Sequence, residues 1–365
     1  MDNLSTGEKF ALSIIGTPAA GSTVMSRVTL RTPTDLLAAV PYLLGFHPDD
    51  SVVVIGLSGP RVVFSARADL PPPDDVLDLA DQLGGVLIEQ AVELALVIGY
   101  GEPTRVTPCV LALRAALPRR GIEVGEVLRA TDGRYWSYLC ESVRCCPPEG
   151  TPYDVSGTEM AAVATYAGQV ALPDRATLER TLAPVSGPER DAVERATEAA
   201  ARELAGQAER AANPGVSRRR AGIRALVAAV RCYESGGRLA DDDLARLTLL
   251  LTSTDVRDSC WARVTAAGPD LGTQQELWRD VTRRARADLV PGPATLLAYA
   301  AYRAGNGALA RVALDRALAA DPAYSLAALL GQALDHALPP ALLDDPPARR
   351  RPRRGRRRAR PVSQS

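Results

Sequence analysis

Apolar and polar positions divide the chain into two regimes. Up to about residue 156, short apolar β-branched runs alternate with helical patterns; beyond it the composition turns to Ala, Leu, Arg and Glu at helical spacing throughout. The densest run of signals is Leu30 to Leu57, LRTPTDLLAAVPYLLGFHPDDSVVVIGL. Thr32 suits a helix N-cap and Pro33 the first helical position, where a missing N–H costs nothing. Leu36, Leu37, Val40, Leu43 and Leu44 recur at helical spacing. Pro41 is expected to kink this helix or end its first segment, and Gly45 to stop it in a left-handed cap. Ser51 to Leu57 is continuously apolar, the pattern of a strand covered on both faces.

The pattern continues with a Ser58-Gly59-Pro60 turn into a second strand, a helix from Val76 to Gln90 preceded by Asp74 and Asp75 as expected caps, and a strand from Val92 to Tyr100. Gly99-Tyr100-Gly101-Glu102-Pro103 then leads into a helix through Leu117. Ile122 to Ala130 and Arg134 to Tyr138 read as a hairpin around Thr131-Asp132-Gly133. Helices are predicted over 158–170, 174–182, 187–212, 218–234, 241–252, 254–266 and 273–287. Leu297, Ala310, Leu314, Ala317 and Pro322 fit a tetratricopeptide spacing, with Gly305 and Gly307 at the turn and a further helix from Tyr324 to Ala337. One such unit cannot bury its apolar face alone, so the pair belongs in a larger bundle. The fold class is therefore an α/β (or α+β) N-terminal domain with a mixed sheet, followed by an all-α helical bundle with a tetratricopeptide-like helix pair. The expected partition is an N-terminal extension over 1–24, disordered, an α/β domain over 25–156, a helical domain over 157–340 and a disordered Arg-rich tail over 341–365. Met25 is an alternative start.

Composition removes several chemistries. Lys9 is the only lysine, so a Schiff base, pyridoxal phosphate or a Ser-Lys dyad would have to use a residue near a terminus. Gly16 to Thr23 has phosphate-loop glycine spacing, but Ser22 stands in the lysine position and VTLRTP follows as a strand and turn, which disfavours nucleotide binding there. Gly56 to Pro60 resembles a nucleophile elbow around Ser58, but a strand follows where an elbow needs a helix. No apolar run approaches the roughly 20 residues of a membrane-spanning helix. The formal net charge of zero hides nine arginines within Arg349 to Arg360, which leave the preceding body nine charges acidic. That block reads as a solubilising end or one that folds back on the body; contact with nucleic acid or an anionic surface is the alternative.

Candidate chemistry gathers in three places. Cys140, Cys145 and Cys146 fall within seven positions. The favoured expectation packs them as small apolar groups under Trp136. The alternatives are a redox site, with Arg144 favouring the Cys145 thiolate, and a metal site, zinc above all, for which a fourth ligand is missing unless His47 supplies it. His47 is expected as a packed ring, and is otherwise the best acid-base candidate together with Asp49 and Asp50. Gly99, Tyr100 and Gly101 stand where a parallel sheet would hold a ligand, although a tight turn explains the glycines alone.

LRTPTDLLAAVPYLLGFHPDDSVVVIGL, GRYWSYLCESVRCCPPEGTP and ALARVALDRALAADPAYSLAALLGQAL together resemble the actinobacterial domain-of-unknown-function family 4192 over roughly residues 28 to 340. The resemblance implies a bacterial cytoplasmic setting and carries no catalytic residue. Two classes of function follow. The first, preferred, is a non-enzymatic binding or regulatory protein whose α/β part holds a small ligand or metal and whose helical half offers a protein-partner surface. The second is an enzyme using His47, Asp49 and the Cys140 to Cys146 loop for thiol redox or metal-assisted chemistry.

Overall fold

The computed structural model describes residues 31–166, 170–267 and 271–344. Lys9, the Gly16 to Thr23 motif, Met25 and Arg349 to Arg360 lie outside them. Helix α1 (Pro33–Leu44) opens on a capping box: Thr32 Oγ accepts from the Asp35 amide and the Asp35 carboxylate accepts from the Thr32 amide. Pro41 does not end α1, which continues to Leu44 and stops at Gly45 in the left-handed conformation. Most of the helix is buried, so packing outweighs the one lost backbone bond.

The sheet has the order β2-β1-β3-β4-β5-β6, built from β1 (Ser51–Ser58), β2 (Arg61–Asp69), β3 (Leu94–Tyr100), β4 (Glu123–Thr131), β5 (Arg134–Ser137) and the short β6 (Thr151–Pro152). Only β3 and β4 pair parallel, joined through α3 (Pro103–Arg119); all other neighbours are antiparallel. The sheet is mixed, as expected. The Ser58 turn is a plain hairpin, held by Glu93, which accepts from the Ser58 hydroxyl at 2.9 Å and the Gly59 amide at 3.0 Å. Asp74 and Asp75 do not cap α2 (Val76–Glu89) with their side chains. The proline-led approach winds Pro73–Asp75 into a 3-10 turn, and the Asp75 amide is satisfied by the Pro72 carbonyl.

Period-2 alternation sends Val52, Val54, Ala95, Val97 and Val127 to one face, under α2 and α3, and Val53, Ile55, Leu57, Leu96, Ile98 and Leu128 to the other. The second face shares one continuous apolar core with α1 and the helical half. That half comprises α4 (Glu159–Tyr166), α5 (Arg175–Arg180), α6 (Pro188–Arg210), α7 (Pro214–Glu234), α8 (Asp241–Leu250), α9 (Thr254–Ala266), α10 (Gly272–Arg284), α11 (Pro291–Arg303), α12 (Gly307–Ala320) and α13 (Ser325–Asp335). Helix α11 is buried on every side from Pro291 to Ala301, with α9, α10, α12 and α13 around it. Leu297, Ala310, Leu314 and Ala317 are fully enclosed at the α11–α12 contact, which is one part of the bundle. No helix among the described residues is long and apolar enough to cross a membrane.

Gly99 holds α3 against the sheet, because a Cβ there would lie 2.2 Å from Val106 Cγ1 and 3.0 Å from Val110 Cγ1. Gly99→Ala should therefore destabilise the protein by about 1–3 kcal/mol, the usual cost of overpacking. Urea denaturation checks this, and Val106→Ala added to Gly99→Ala should return part of the loss.

Candidate metal centre

The loop after β5 is built from the strand upward. Ser137 ends β5; its hydroxyl donates to Glu126 Oε1 at 2.8 Å and accepts from the Leu139 and Cys140 amides, both at 3.2 Å. The chain is thereby turned off the sheet at Cys140. Two residues on, the Ser142 carbonyl accepts from the Cys145 and Cys146 amides at 3.0 and 2.7 Å, a turn that folds these two thiols back toward Cys140. The return limb is fixed by Trp136, whose indole N–H donates to the Pro148 carbonyl at 2.9 Å. Gly150 is left-handed with its backbone against that ring, where a Cβ would fall 2.5 Å from the indole. The Arg129 guanidinium, directly across the strand pair, lies 3.6 Å from the ring centroid.

The result is convergence. The sulfurs of Cys140, Cys145 and Cys146 all lie within 4.8 Å of one another, the one such group of ligating side chains among the described residues. Three thiols in this arrangement could hold a metal ion. They are less enclosed than the sequence favoured: Cys145 is exposed and the other two are half-buried, while the Arg129 guanidinium lies over the Trp136 ring and the Gly150 backbone against it. The thiols are also not equivalent. A hydrogen bond from Cys146, and a second from the Ser142 backbone, hold Cys140 below the ordinary thiol range. Burial, with the neighbouring Cys140 and Cys145 groups, pushes Cys146 up to about 12.

Glu126, which sequence reasoning missed, sits within electrostatic reach of Cys140; burial raises its carboxyl against the bonds from Ser137 and the Val127 amide. Its sequence signal was an acid inside the apolar strand VGEVLRA. The GFHPDD loop is elsewhere. It precedes β1, and three strand spacings, about 14 Å at roughly 4.8 Å each, separate β1 from β5. His47 is not among the converging ligands, and its ring is exposed, which corrects the expectation of a packed histidine. The cause is backbone pairing. The His47 amide donates to the Leu172 carbonyl and the Leu172 amide to Gly45, so Phe46 turns into the core and His47 to solvent. Asp49 and Asp50 are exposed as well, and Asp50 pairs with Arg105 at 3.3 Å. Gly99, Tyr100 and Gly101 form the β3-to-α3 turn: Gly99 meets Val106, Tyr100 is buried with its hydroxyl unpartnered, and the Gly101 amide donates to Ala130.

The difference between Cys140 and Cys146 predicts an order of alkylation. In chelator-treated protein at pH 8, iodoacetamide should modify Cys140 at least about tenfold faster than Cys146, because the lower thiol supplies more thiolate. Peptide mass mapping against time measures both.

Comparison with curated proteins gives no match, and comparison with solved structures gives none either. Residues 33–341 match the family described as Domain of unknown function (DUF4192), which spans α1, the whole sheet, the cysteine loop and the helical bundle. The chain belongs to that family.

Proposed function

We propose that the protein is a binding protein whose α/β part holds a thiophilic metal ion, zinc by its chemistry, through Cys140, Cys145 and Cys146. One observation carries the reading: three sulfurs from a single loop converge within 4.8 Å. Tetrahedral zinc with Zn–S bonds of about 2.3 Å needs sulfurs near 3.8 Å apart, so closure requires movements of roughly 1 Å. A redox pair needs two thiols, and a third held equally close is superfluous to it. Three protein ligands leave one coordination position, and the exposure of Cys145 turns that position toward solvent, where a small ligand or a side chain of another protein can enter. Metal binding would tie the β5-to-β6 loop to the sheet, with Ser137 and Glu126 orienting Cys140 from behind. The helical half supplies the broad surface for a protein partner.

A second reading rests on the inequality of the thiols. Cys140, held low, is the better nucleophile, and the exposed Cys145, within 4.8 Å of it, can resolve it once an oxidant has acted on Cys140.

The experiment that separates them is elemental analysis of protein purified without chelator, followed by cobalt substitution. The metal reading expects one ion per chain and thiolate-to-cobalt absorption in the near ultraviolet. Cys140→Ser, Cys145→Ser and Cys146→Ser should each weaken binding, while Cys109→Ser and Cys260→Ser, buried and outside the cluster, should leave stoichiometry unchanged. Metal-free protein in which cobalt gives no such band, and in which peroxide forms a Cys140 disulfide, would replace the first reading with the second.

A further inference from the structure

The carboxyl end of α10 carries an unusual charge arrangement. Arg279 and Arg283 are one helical turn apart and share a stripe of the helix surface. Arg316, from α12, reaches the same place, its guanidinium donating to the Thr282 carbonyl at 3.4 Å. Arg283 is within electrostatic reach of both Arg279 and Arg316, so three arginines from two helices gather around residue 282. Nearby arginines are matched: Arg284, the next residue along, pairs with Asp280 and Asp241, and Arg238, Arg175 and Arg311 each have a carboxylate. Among the described residues Arg279, Arg283 and Arg316 have no carboxylate within 4.0 Å, although Glu276 is within electrostatic reach of Arg279.

Their hydrogen-bonding capacity is also unspent. Each carries five N–H donors. Among the described residues the three together make two bonds, both 3.4 Å long: Arg316 to the Thr282 carbonyl and Arg283 Nε to the Ala183 carbonyl. The Nε atoms of Arg279 and Arg316 are buried with no acceptor. Burial lowers both arginines from their ordinary range, and the nearby Arg283 charge adds to it, with Glu276 partly opposing this at Arg279. Capping of the last α10 carbonyls is a use for one such charge. It does not account for three brought together with their donors left over.

A cavity of about 440 Å³ opens beside Arg316, with apolar walls that include Leu182, Pro184, Ala285 and Val290. Two carboxylates also line it, but Arg175 holds both, Glu179 at 3.0 Å and Asp315 at 3.2 Å; Arg190 is likewise held by Glu194. Arg316 is the cation of that wall left without a partner. Guanidinium clusters without carboxylates match the geometry and charge of tetrahedral oxyanions, to which planar forks donate in pairs.

We infer that Arg279, Arg283 and Arg316 form a binding site for a phosphate group, either free phosphate or the phosphate of a small phosphorylated molecule whose organic part enters the neighbouring cavity. The site is in the helical half and does not depend on the cysteine loop.

Titration calorimetry and thermal melting of the full-length protein test it, with inorganic phosphate and phenyl phosphate as probes and sodium chloride at matched ionic strength as control. Phosphate should bind saturably and raise the melting temperature where chloride does not. Arg283→Gln and Arg316→Gln should each weaken phosphate at least about tenfold, and Arg283→Lys should lose less than Arg283→Gln. Without phosphate, Arg283→Gln should melt no lower than the parent, since it relieves repulsion in an exposed position. Tighter binding of phenyl phosphate assigns the cavity to an organic group; equal binding assigns the site to free phosphate. The inference is overturned if phosphate acts no differently from chloride, or if the Arg283→Gln/Arg316→Gln double variant binds phosphate as the parent does, which would place binding on the Arg349 to Arg360 block instead.

Discussion

A strand with large apolar side chains on both faces cannot stand at a surface. Val52 to Leu57 imposes that constraint: at about 25 cal/mol per Å² of apolar surface, leaving either face in water would forfeit several kcal/mol. Helices α2 and α3 cover one face. The other face is broader than α1 alone can cover, and Ile55, Ile98 and Leu128 continue into a core shared with the helical bundle. The bundle in turn centres on α11, buried on all sides and anchored by Tyr299, which stacks on Trp261 with ring centroids 3.6 Å apart. The two sequence regimes are thus joined by one apolar core.

The cysteine loop sits where that constraint relaxes. β5 is only half-buried along its length, and β6 contributes two residues, so the sheet thins toward this edge. A thin edge gives a loop freedom, and the local chemistry removes it again: Ser137 fixes the exit, Ser142 the turn, and Trp136 with Gly150 the return. Held at three points, the thiols approach one another without the enclosure that would make them inert. Exposure and convergence together distinguish them from Cys109 and Cys260, where burial alone raises the thiols, Cys109 to about 11.

What the sequence revealed depended on the range of the interaction. The N-cap at Thr32, the hairpin at Asp132-Gly133 and most helix limits were legible because their partners lie within four residues. The cysteine cluster was legible as proximity along the chain, and the three-point hold on it was not. Trp136 was expected to roof the thiols, yet its neighbours are Arg129, opposite in register, and Gly150, returned by a turn. His47 was misread for the same reason. Nothing near it in sequence announces Leu172, whose two backbone bonds turn Phe46 inward and the histidine out. Arg279 and Arg283 could be placed on one helical stripe from spacing alone, but Arg316 arrives from α12, and only tertiary packing brings it there.

Arg284 and Arg283 show how one helix sorts equal charges into different roles. Arg284 has a side chain only 3% exposed, and removing a guanidinium from water to that degree costs several kcal/mol unless it is matched. It is matched by Asp280 at 2.8 Å, by Asp241 and by the Leu239 carbonyl at 2.9 Å. Asp280 is satisfied in turn: burial would raise its carboxyl, but bonds from Arg238, Tyr233 and Arg284 bring it below the ordinary range. The charges of this network are matched within it, although Arg284 Nε makes no hydrogen bond. Arg283, one residue on and turned to solvent, costs little to leave unmatched by itself. The cost appears when Arg279 and Arg316 stand beside it with buried, unbonded Nε atoms, because repulsion and incomplete hydrogen bonding then add. A fold that pairs the Arg284 charge with two carboxylates has acidic residues to pair its neighbours too, and the chain before Arg349 carries a surplus of nine. Among the described residues no carboxylate lies within 4.0 Å of Arg279, Arg283 or Arg316, which is the arrangement a bound anion would balance.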